Sequence, residues 1–498
     1  MVQFETKIAE SSSHEADPCL GQAALRESFR DPSGRLFALN GRILRIVNAD
    51  GEPDLRAFFR SAQTLRLAGS KAVVQSRVLD GEELAQIRES AAVNRLYNDI
   101  QGSLIVEHER IPFASFPYEW PPEMLHAAGL LTVELAIELL SAGLGLKDAT
   151  PYNVLFHGPE PVFVDMLSFE RREPADPTWL PYAQFVRTFL LPLLAYRHFG
   201  LTLDRTFGAC HDGLEPETIF RWLNLLQKIR PPFLSLVSMP VWLGGKTSTS
   251  PRLYESRTVG DPEKARFILF SLFSRLRRLL NRLEPSGRGS LWAEYMRRQT
   301  HYSQEGFGAK ERAVQDMLAQ FAPKRVLDVG ANTGHFSIFA AQSGADVVAV
   351  DSDPVVVGEV WRTARSSGLS ILPLVVNVAQ PSPPTGWHNT ERPSFLERAC
   401  GNFDAVFMLA VIHHMLVTER IPLDRIIGLA AELTTKLALI EFIPPTDPMF
   451  RIIARGRDAL HRDLTQERFE AAVSIRFEIV RSVSVEGSGR RIYTLCKR

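Results

Sequence analysis

Four residues in one window of the sequence have the types and spacing of a nucleoside-binding site. In Val326–Asp353, VLDVGANTGHFSIFAAQSGADVVAVDSD, a buried strand ends at Asp328, and a turn with Gly330 and Gly334 leads into a helix. Glycines can adopt positive φ and let the main chain approach a ligand with no Cβ in the way. Asp351 ends the next strand, 21 positions beyond Gly330, where a carboxylate can accept hydrogen bonds from ribose hydroxyls. The window therefore predicts a site for a ligand that contains a nucleoside.

The elements that must position these residues are strands alternating with helices, from Lys324 onward. Strands are predicted in RVLDV, VVAV, ILPLVV, AVFMLA and LALIEF, with helical patterns between most of them. This alternation is typical of βαβ units that build a parallel sheet covered on both faces, whose ligands bind beyond the carboxyl ends of the strands. The final stretch, FEIVRSVSVEGSGRRIYTLCKR, predicts a hairpin that turns at Glu486–Gly489.

Two nucleoside-binding motifs compete for the glycine turn. The dinucleotide pattern GxGxxG does not fit, because the turn is Gly330-Ala-Asn332-Thr-Gly334. Led by Asp328, this order resembles instead the glycine-rich motif of class I S-adenosylmethionine-dependent methyltransferases. The resemblance covers residues 305–498, with Asn332 in place of the usual middle glycine. It implies that S-adenosylmethionine is the cofactor.

The resemblance also implies a role for each cofactor residue. Asp328 and the Gly330–Gly334 turn would hold the amino acid end of the cofactor, and Asp351 would bind the ribose diol. Asn377, at the end of the third strand, lies where the family places a residue that contacts the adenine edge, and Val378 could pack on the ring.

The element NFDAVFMLAVIHHMLV, Asn402–Val417, resembles the fourth strand of the family and its following segment. Its end would bring Leu409 to the cofactor, and His413 and His414 to the rim where the methyl group leaves. A histidine can accept a proton near neutral pH, which is needed if the acceptor arrives protonated. His413 and His414 are therefore the candidate catalytic residues, although paired histidines after such a strand also serve packing and capping.

Further polar residues lie at the predicted rim or on its helical approach. Glu441 ends the fifth strand, and structural and substrate-binding roles are equally consistent with its position. In similar enzymes the segment before the first strand covers the cofactor, and Tyr302 with Ser303 could meet the cofactor carboxylate. Lys310 and Trp292 lie in the same approach, where core packing is the simpler expectation.

The N-terminal half contains a second motif, in SAGLGLKDATPYNVLFHGPEPVFVDMLSFE, Ser141–Glu170. Asp148, Asn153 and Asp165 follow an apolar helix in the order of the catalytic loop and metal-binding segments of protein-kinase-like folds, which these residues resemble. In that family an Asp orients the acceptor, while an Asn and a second Asp hold Mg²⁺.

Several departures argue against an active kinase. Leu-Lys-Asp replaces His-Arg-Asp, Met-Leu follows Asp165 where Phe-Gly is usual, and no glycine-rich loop precedes the motif. Lys71 is a weak candidate for the phosphate-binding lysine. A degenerate kinase-like domain for binding or support is the preferred interpretation; an active domain with metal ligands Asp148, Asn153 and Asp165, and a chance match, remain alternatives.

The predicted fold class is α/β. A doubly wound, mostly parallel Rossmann-like sheet with an antiparallel C-terminal hairpin follows an α+β domain similar to kinase-like folds. The predicted divisions are a disordered tail (1–20), the kinase-like domain (21–255), a basic helical linker (256–304) and the methyltransferase domain (305–498). Within the linker, Phe267–Pro285 could lie on a membrane surface, although a connecting helix is the simpler interpretation.

The composition of the chain limits the classes of partner that we expect it to bind. The 498 residues include 57 Lys and Arg against 57 Asp and Glu, and 45% are hydrophobic, which is ordinary for a globular protein and gives no global affinity for nucleic acid. The N-terminus lacks the basic and apolar regions of a secretory signal, and neither long apolar stretch resembles a membrane span. A cytoplasmic protein is expected, with no transmembrane segment, membrane contact only through the basic helix, and an undetermined oligomeric state.

The combined prediction is an S-adenosylmethionine-dependent methyltransferase whose N-terminal half helps to select the acceptor. The Asn/Asp-Pro-Pro-Tyr motif of amino-group methylating enzymes is absent after the fourth strand. This favours a hydroxyl or carboxyl of a small-molecule, lipid-linked or glycan acceptor. The alternatives are a bifunctional phosphotransferase–methyltransferase and a non-catalytic S-adenosylmethionine-binding module.

Overall fold

The structure, a computed structural model, describes residues 28–61, 66, 67, 69–244, 258–285, 304–485 and 488–498. The predicted tail 1–20, the approach residues Trp292, Tyr302 and Ser303, and part of the predicted hairpin turn lie outside the described residues. Across the described ranges, no helix combines the length and apolar character needed to cross a membrane.

The N-terminal half combines small antiparallel sheets with helices. Its strands are β1 (Gly34–Leu39), β2 (Arg42–Asn48), β3 (Ser76–Val78), β4 (Gly102–His108), β5 (Leu144–Leu146), β6 (Val154–His157), β7 (Glu160–Phe163) and β8 (Phe169–Arg171). Four of them form one sheet in the order β1-β2-β4-β3, while β5 pairs with β8 and β6 with β7. The α+β class predicted for this half is confirmed.

Eleven described helices accompany these strands. They are α1 (Glu52–Arg60), α2 (Gly81–Arg88), α3 (Ala91–Asp99), α4 (Pro122–Leu140), α5 (Tyr182–Phe185), α6 (Leu191–Phe199), α7 (Leu203–Ala209), α8 (Pro216–Trp222), α9 (Leu225–Ile229), α10 (Met239–Gly244) and α11 (Pro262–Arg282). Pro122 opens α4, where its fixed φ suits the first turn and its missing N–H costs no helical hydrogen bond. Almost all of α4 is buried, so it forms the centre of this half.

The basic helix of the predicted linker, α11, packs along α4. Nε2 of His126 lies 3.1 Å from the carbonyl oxygen of Leu280. The buried face of α11 is apolar and consists of Ala265, Leu269, Phe273, Leu276, Leu279 and Leu280. The apolar positions of the helix therefore serve the protein core.

The C-terminal half is a seven-stranded sheet with helices on both sides. Its strands are β9 (Arg325–Val329), β10 (Asp346–Asp351), β11 (Ile371–Val375), β12 (Phe403–Met408), β13 (Thr434–Phe442), β14 (Phe477–Val485) and β15 (Arg490–Lys497). The order is β11-β10-β9-β12-β13-β15-β14; the first five are parallel, and β14 and β15 form an antiparallel hairpin. The predicted doubly wound sheet with its antiparallel hairpin is confirmed.

The helices of this half complete the βαβ units. They are α12 (Gln304–Phe321), α13 (His335–Gln342), α14 (Pro354–Ser367), α15 (Phe395–Ala399), α16 (Ile412–Val417), α17 (Leu423–Leu433), α18 (Pro448–Ala454) and α19 (Gln466–Ser474). Strand order reverses between β9 and β12, so the carboxyl ends of β9, β10 and β12 open the crevice in which such sheets bind ligands.

The two halves share one hydrophobic core. A single cluster of buried apolar side chains runs from β2 and α4 to α14 and β11. Polar contacts cross the same seam: Nε1 of Trp361 donates to the carbonyl oxygen of Pro159 at 3.0 Å, and the buried Glu119 is paired with Arg398. The predicted domain boundaries stay predictions, and the halves meet through both apolar packing and specific polar contacts.

Candidate active site

The glycine turn follows β9 and is held by the end of β10. Main-chain amides of Gly330 and Ala331 both donate to the carbonyl oxygen of Val350, at 2.9 and 3.0 Å. Gly330 and Gly334 adopt φ of 71° and 78°, and Asn332, in place of the usual glycine, adopts φ of 50°. Asparagine tolerates this left-handed region better than most residues, so the substitution preserves the turn.

Asp351 ends β10 beside this turn. Its Oδ2 accepts a hydrogen bond from the main-chain amide of Asn332 at 3.0 Å, and its Oδ1 accepts one from the amide of Asp353 at 3.1 Å. Burial raises the pKa of the Asp351 carboxyl, while these amides oppose that rise. The carboxylate is thus fixed in place with acceptor capacity left for a ligand.

Asp328 lies one layer beneath the turn. It is buried, and its Oδ2 accepts a hydrogen bond from Oγ of Ser337 on α13 at 2.6 Å. Burial raises the pKa of Asp328 to about 6, against the opposing effect of Ser337. The hydrogen bond between Asp328 and Ser337 therefore links β9 to α13. The Asp328 carboxyl also places negative charge below the glycine turn.

A cavity of about 330 Å³ opens at these strand ends. The predicted residues that line it are Gly330, Asn332, Asp351, Asn377, Val378 and His414. The other predicted residues, Asp328, Gly334, Leu409 and His413, lie outside its lining. Each individual role stays a prediction, but the structure does bring the loop, the second strand and the third strand to one cavity.

The far wall of the cavity is formed by the segment after β11. The amide of Val376 donates to the carbonyl oxygen of Asp351 at 2.8 Å, and Oδ1 of Asn377 accepts from the amide of Ala379 at 3.0 Å. The side-chain nitrogen of Asn377 therefore stays oriented by its own loop. Nε2 of Gln380 reaches Oε2 of Glu419, 3.3 Å away, and links this segment to the end of α16.

The two histidines of α16 have different environments. Their rings lie 4.3 Å apart, yet only His414 lines the cavity. His413 is 4% exposed, and burial, with the positive charges of neighbouring groups, lowers its pKa to about 2. Its Nδ1 has no hydrogen-bond partner among the described residues. Burial also lowers the pKa of His414, so both imidazoles are neutral at physiological pH.

A buried ionic network lies at the rim beside His413. Nζ of Lys310 is 2.7 Å from Oε2 of Glu441, and Nη1 of Arg490 is 3.5 Å from Oε1 of the same carboxylate. Arg490 also binds both oxygens of Asp447, at 2.7 and 3.1 Å. The sequence patterns indicate Lys310 and Glu441 as candidates, but not Asp447 or Arg490. Asp447 and Arg490 lie far from the glycine motif along the chain, so no local pattern indicates them. They come together only because β13 pairs with β15.

The kinase-like residues of the N-terminal half form hydrogen bonds with neighbouring side chains, and their role as metal ligands stays a prediction. Oδ1 of Asp165 pairs with Nη1 of Arg45 at 2.9 Å, and Oδ2 accepts from Oγ of Ser168 at 2.6 Å. Nδ2 of Asn153 donates to the same hydroxyl at 3.0 Å. Nε2 of Gln184 lies 3.4 Å from Oδ1 of Asp148, whose pKa is raised by burial.

Arg45, rather than Lys71, is the cation that lies beside Asp165. Arg45 lies on β2 and is 7% exposed, whereas Lys71 is exposed in a turn with φ of 58°. The family motif points to a lysine, so it does not indicate Arg45; the signal in the sequence is an arginine inside the apolar run RILRIV. Among the described residues, no group of three His, Cys, Asp or Glu side chains is arranged to hold a metal ion.

Comparison with known proteins agrees with this geometry. Residues 286–442 match a family model described as a methyltransferase domain, which includes all five parallel strands. The nodulation protein NoeA of Rhizobium meliloti (strain 1021) is 30% identical over 494 residues, and the match covers 98% of each chain.

Two solved structures are similar to part of the chain. Magnesium protoporphyrin IX methyltransferase of Synechocystis PCC 6803, with bound SAH, is 18% identical; the match covers 46% of this chain and 94% of that one, with a TM-score of 0.29. The N-methyltransferase NodS of Bradyrhizobium japonicum WM9 is 12% identical and covers 39% of this chain and 98% of its own, with a TM-score of 0.30. The prediction of a class I S-adenosylmethionine-dependent methyltransferase domain in the C-terminal region is confirmed.

Proposed function

The chain belongs to the family of the nodulation protein NoeA, and we propose that it transfers a methyl group from S-adenosylmethionine to an oxygen of a small-molecule, lipid-linked or glycan acceptor. The observation that carries the proposal is the cavity at the carboxyl ends of β9, β10 and β11. It is lined by Gly330, Asn332, Asp351 and Asn377, four of the residues predicted to contact this cofactor.

The residues present suit the cofactor. The loop around Gly330 offers main chain without a Cβ, where an added one would approach Val411 to 3.1 Å. Asp351 has carboxylate lone pairs left for a diol, and Asn377 has an amide nitrogen for an adenine edge. Asp328 acts below the turn as a positioning residue through Ser337. When bound, the cofactor supplies an electrophilic methyl group on a sulfonium.

The chemistry left to the protein is mostly positioning, because methyl transfer is an in-line displacement. A hydroxyl acceptor must also lose its proton, and a neutral imidazole within reach can accept it. His414 lines the cavity, whereas His413 is buried behind it with a pKa of about 2. We therefore assign proton acceptance to His414, against whose ring His413 packs.

The N-terminal half supports this reaction without phosphoryl transfer. Asp165 accepts hydrogen bonds from Arg45 and Ser168, and the positive charge of Arg45 beside its carboxylate disfavours a metal cation there. Holding a triphosphate requires metal and a lysine together at such a site. We infer that the half acts in acceptor selection or support, through the packed seam that joins it to α14 and β11.

Calorimetry and a methyl-transfer survey test the proposal together. The full chain should bind S-adenosylmethionine and its demethylated product, and it should label one class of compound in a panel of metabolites, glycans and lipid-linked glycans when given the cofactor with a radioactive methyl group. Lack of cofactor binding by the folded chain would refute the proposal. Tight binding with no labelled product in the panel or in cell extracts would favour the non-catalytic module.

A nucleotide experiment addresses the bifunctional alternative. If the N-terminal half transfers phosphate, ATP with Mg²⁺ should raise the melting temperature of the full chain, and the protection should vanish in Asp165→Asn. No protection, together with no ATP turnover, would leave the supporting role as the account of this half.

A further inference from the structure

A compact group of helices in the N-terminal half leaves a large apolar surface in solvent. The helices are α8, α9 and α10, which pack on the segment Leu234–Ser238, and the rings of Phe220 and Trp242 meet edge to face at 6.3 Å. We call the exposed surface the α8–α10 patch. Its side chains are Trp222 (43% exposed), Leu225 (82%), Leu226 (62%), Ile229 (59%), Met239 (46%), Trp242 (51%) and Leu243 (58%).

The patch belongs to a well-fixed part of the fold. Ile219, Phe233 and Leu236 of the same group are buried. The ring of Phe233 lies 4.8 Å from that of His198, and the ring of Trp222 lies 5.6 Å from that of Phe199. The group therefore buries some of its apolar side chains in the core and leaves the side chains of the patch exposed to solvent. Apolar patches of this kind mark sites of protein–protein or membrane interaction.

The charged residues around the α8–α10 patch indicate which kind of partner fits it. From Pro216 to Gly244, the stretch that contains the three helices, the sequence has one acidic residue, Glu217 in the first turn of α8. Its cations are Arg221, Lys228 and Arg230. With three cations against one acid, this stretch would bring mostly like charges together if two copies of the chain met through it, which disfavours self-association. An anionic counterpart is complementary.

We propose that the α8–α10 patch docks the protein on an anionic lipid surface. Tryptophans place their amphipathic rings at the membrane–water interface, leucines enter the acyl boundary, and Lys and Arg pair with anionic headgroups. The short helices need only lie in the interface, in agreement with the absence of a spanning helix among the described residues. The patch is distinct from the basic helix α11, whose buried face is occupied by α4.

Vesicle sedimentation with the full chain tests the proposal. The protein should sediment with phosphatidylcholine vesicles that contain about 30 mol % phosphatidylglycerol, far less with pure phosphatidylcholine, and less again as salt rises from about 0.1 to 0.5 M. The double variant Leu225→Gln/Leu226→Gln should lose at least about tenfold in affinity, since both side chains contribute buried apolar area only on the bilayer.

A matched double variant controls for the loss of exposed apolar side chains in general. Leu180 and Ile475 are each 70% exposed and lie outside the patch, so Leu180→Gln/Ile475→Gln should bind vesicles like the unaltered chain. Thermal unfolding of both variants should match that of the unaltered chain, because exposed positions are changed. Equal vesicle binding by the two variants would overturn the proposal, as would no binding by the unaltered chain. A dimer that Leu225→Gln/Leu226→Gln dissociates would assign the patch to self-association instead.

Discussion

The main-chain amide of Asn332 donates a hydrogen bond to Oδ2 of Asp351 across 3.0 Å. The residue that replaces the usual middle glycine of the motif therefore fixes the carboxylate that ends the second strand. The turn and the strand end form one preorganised unit. The proposed binding of a ribose diol would then require little rearrangement of the protein.

The first prediction concerns this carboxylate. Asp351→Ala should weaken cofactor binding by about 1–3 kcal/mol, because hydroxyl groups of the ligand lose their buried acceptor. Calorimetric titration with S-adenosylmethionine measures the effect. Asp346→Ala, at the exposed opposite end of the same strand, is the control and should bind normally. Normal binding by a folded Asp351→Ala variant would contradict the ribose assignment.

The second prediction follows from the pKa of Asp328, raised by burial to about 6. The native state then holds a proton that the unfolded state releases near its ordinary pKa of 3.8, so stability should fall as pH rises toward 6. Relative to Asp328→Asn, which cannot titrate, the unaltered chain should lose about 2 kcal/mol of unfolding free energy between about pH 4.5 and 7.5. Denaturant titrations at several pH values give this difference. A difference that does not vary with pH would show that the carboxyl titrates normally.

The third prediction concerns His413, for which stability should change with pH in the opposite direction. His413, with its pKa lowered to about 2, stays neutral in the native state while the unfolded state takes up a proton below its ordinary pKa of 6.5. Stability should therefore fall as pH drops below about 6.5. The loss should reach about 2–3 kcal/mol by about pH 4.5 relative to His413→Gln, which has no charge to gain. Parallel pH profiles of the two proteins would exclude a buried, neutral His413.

Local patterns predicted much of the sheet and its cavity, and failed where distant segments meet. The run RVLDV coincides with β9 because the apolar residues of a doubly covered strand are contiguous. In the N-terminal half, the valine-containing run KAVVQSRV (Lys71–Val78) forms a strand only at Ser76–Val78, since pairing with β4 depends on residues far along the chain. Arg490 and Asp447 contact each other only after β13 and β15 pair, a long-range event that no local spacing encodes.

The fourth prediction concerns the buried ionic network. Glu441→Gln should destabilise the chain by about 3–5 kcal/mol, because Lys310 and Arg490 would retain buried positive charge with less compensation. Asp316 and Arg481 form an ion pair of similar length, 2.7 Å, with both side chains about half exposed. Asp316→Asn should therefore cost less than about 1 kcal/mol. Chemical denaturation compares the variants, and equal losses would mean that the network contributes no more than a surface pair.

The last prediction addresses the seam between the halves. Because one hydrophobic cluster spans α4, α14 and β11, and Glu119 and Arg398 are paired there in a buried setting, the two halves should unfold together. Calorimetry of the full chain should show a single transition that cofactor binding shifts to higher temperature as a whole. Glu119→Gln, which leaves Arg398 buried with a neutral partner, should lower that transition while keeping it single. Two separate transitions in the unaltered chain, with the cofactor shifting only one, would show that the halves are energetically independent and that the seam couples neither folding nor acceptor selection to the methyltransferase domain.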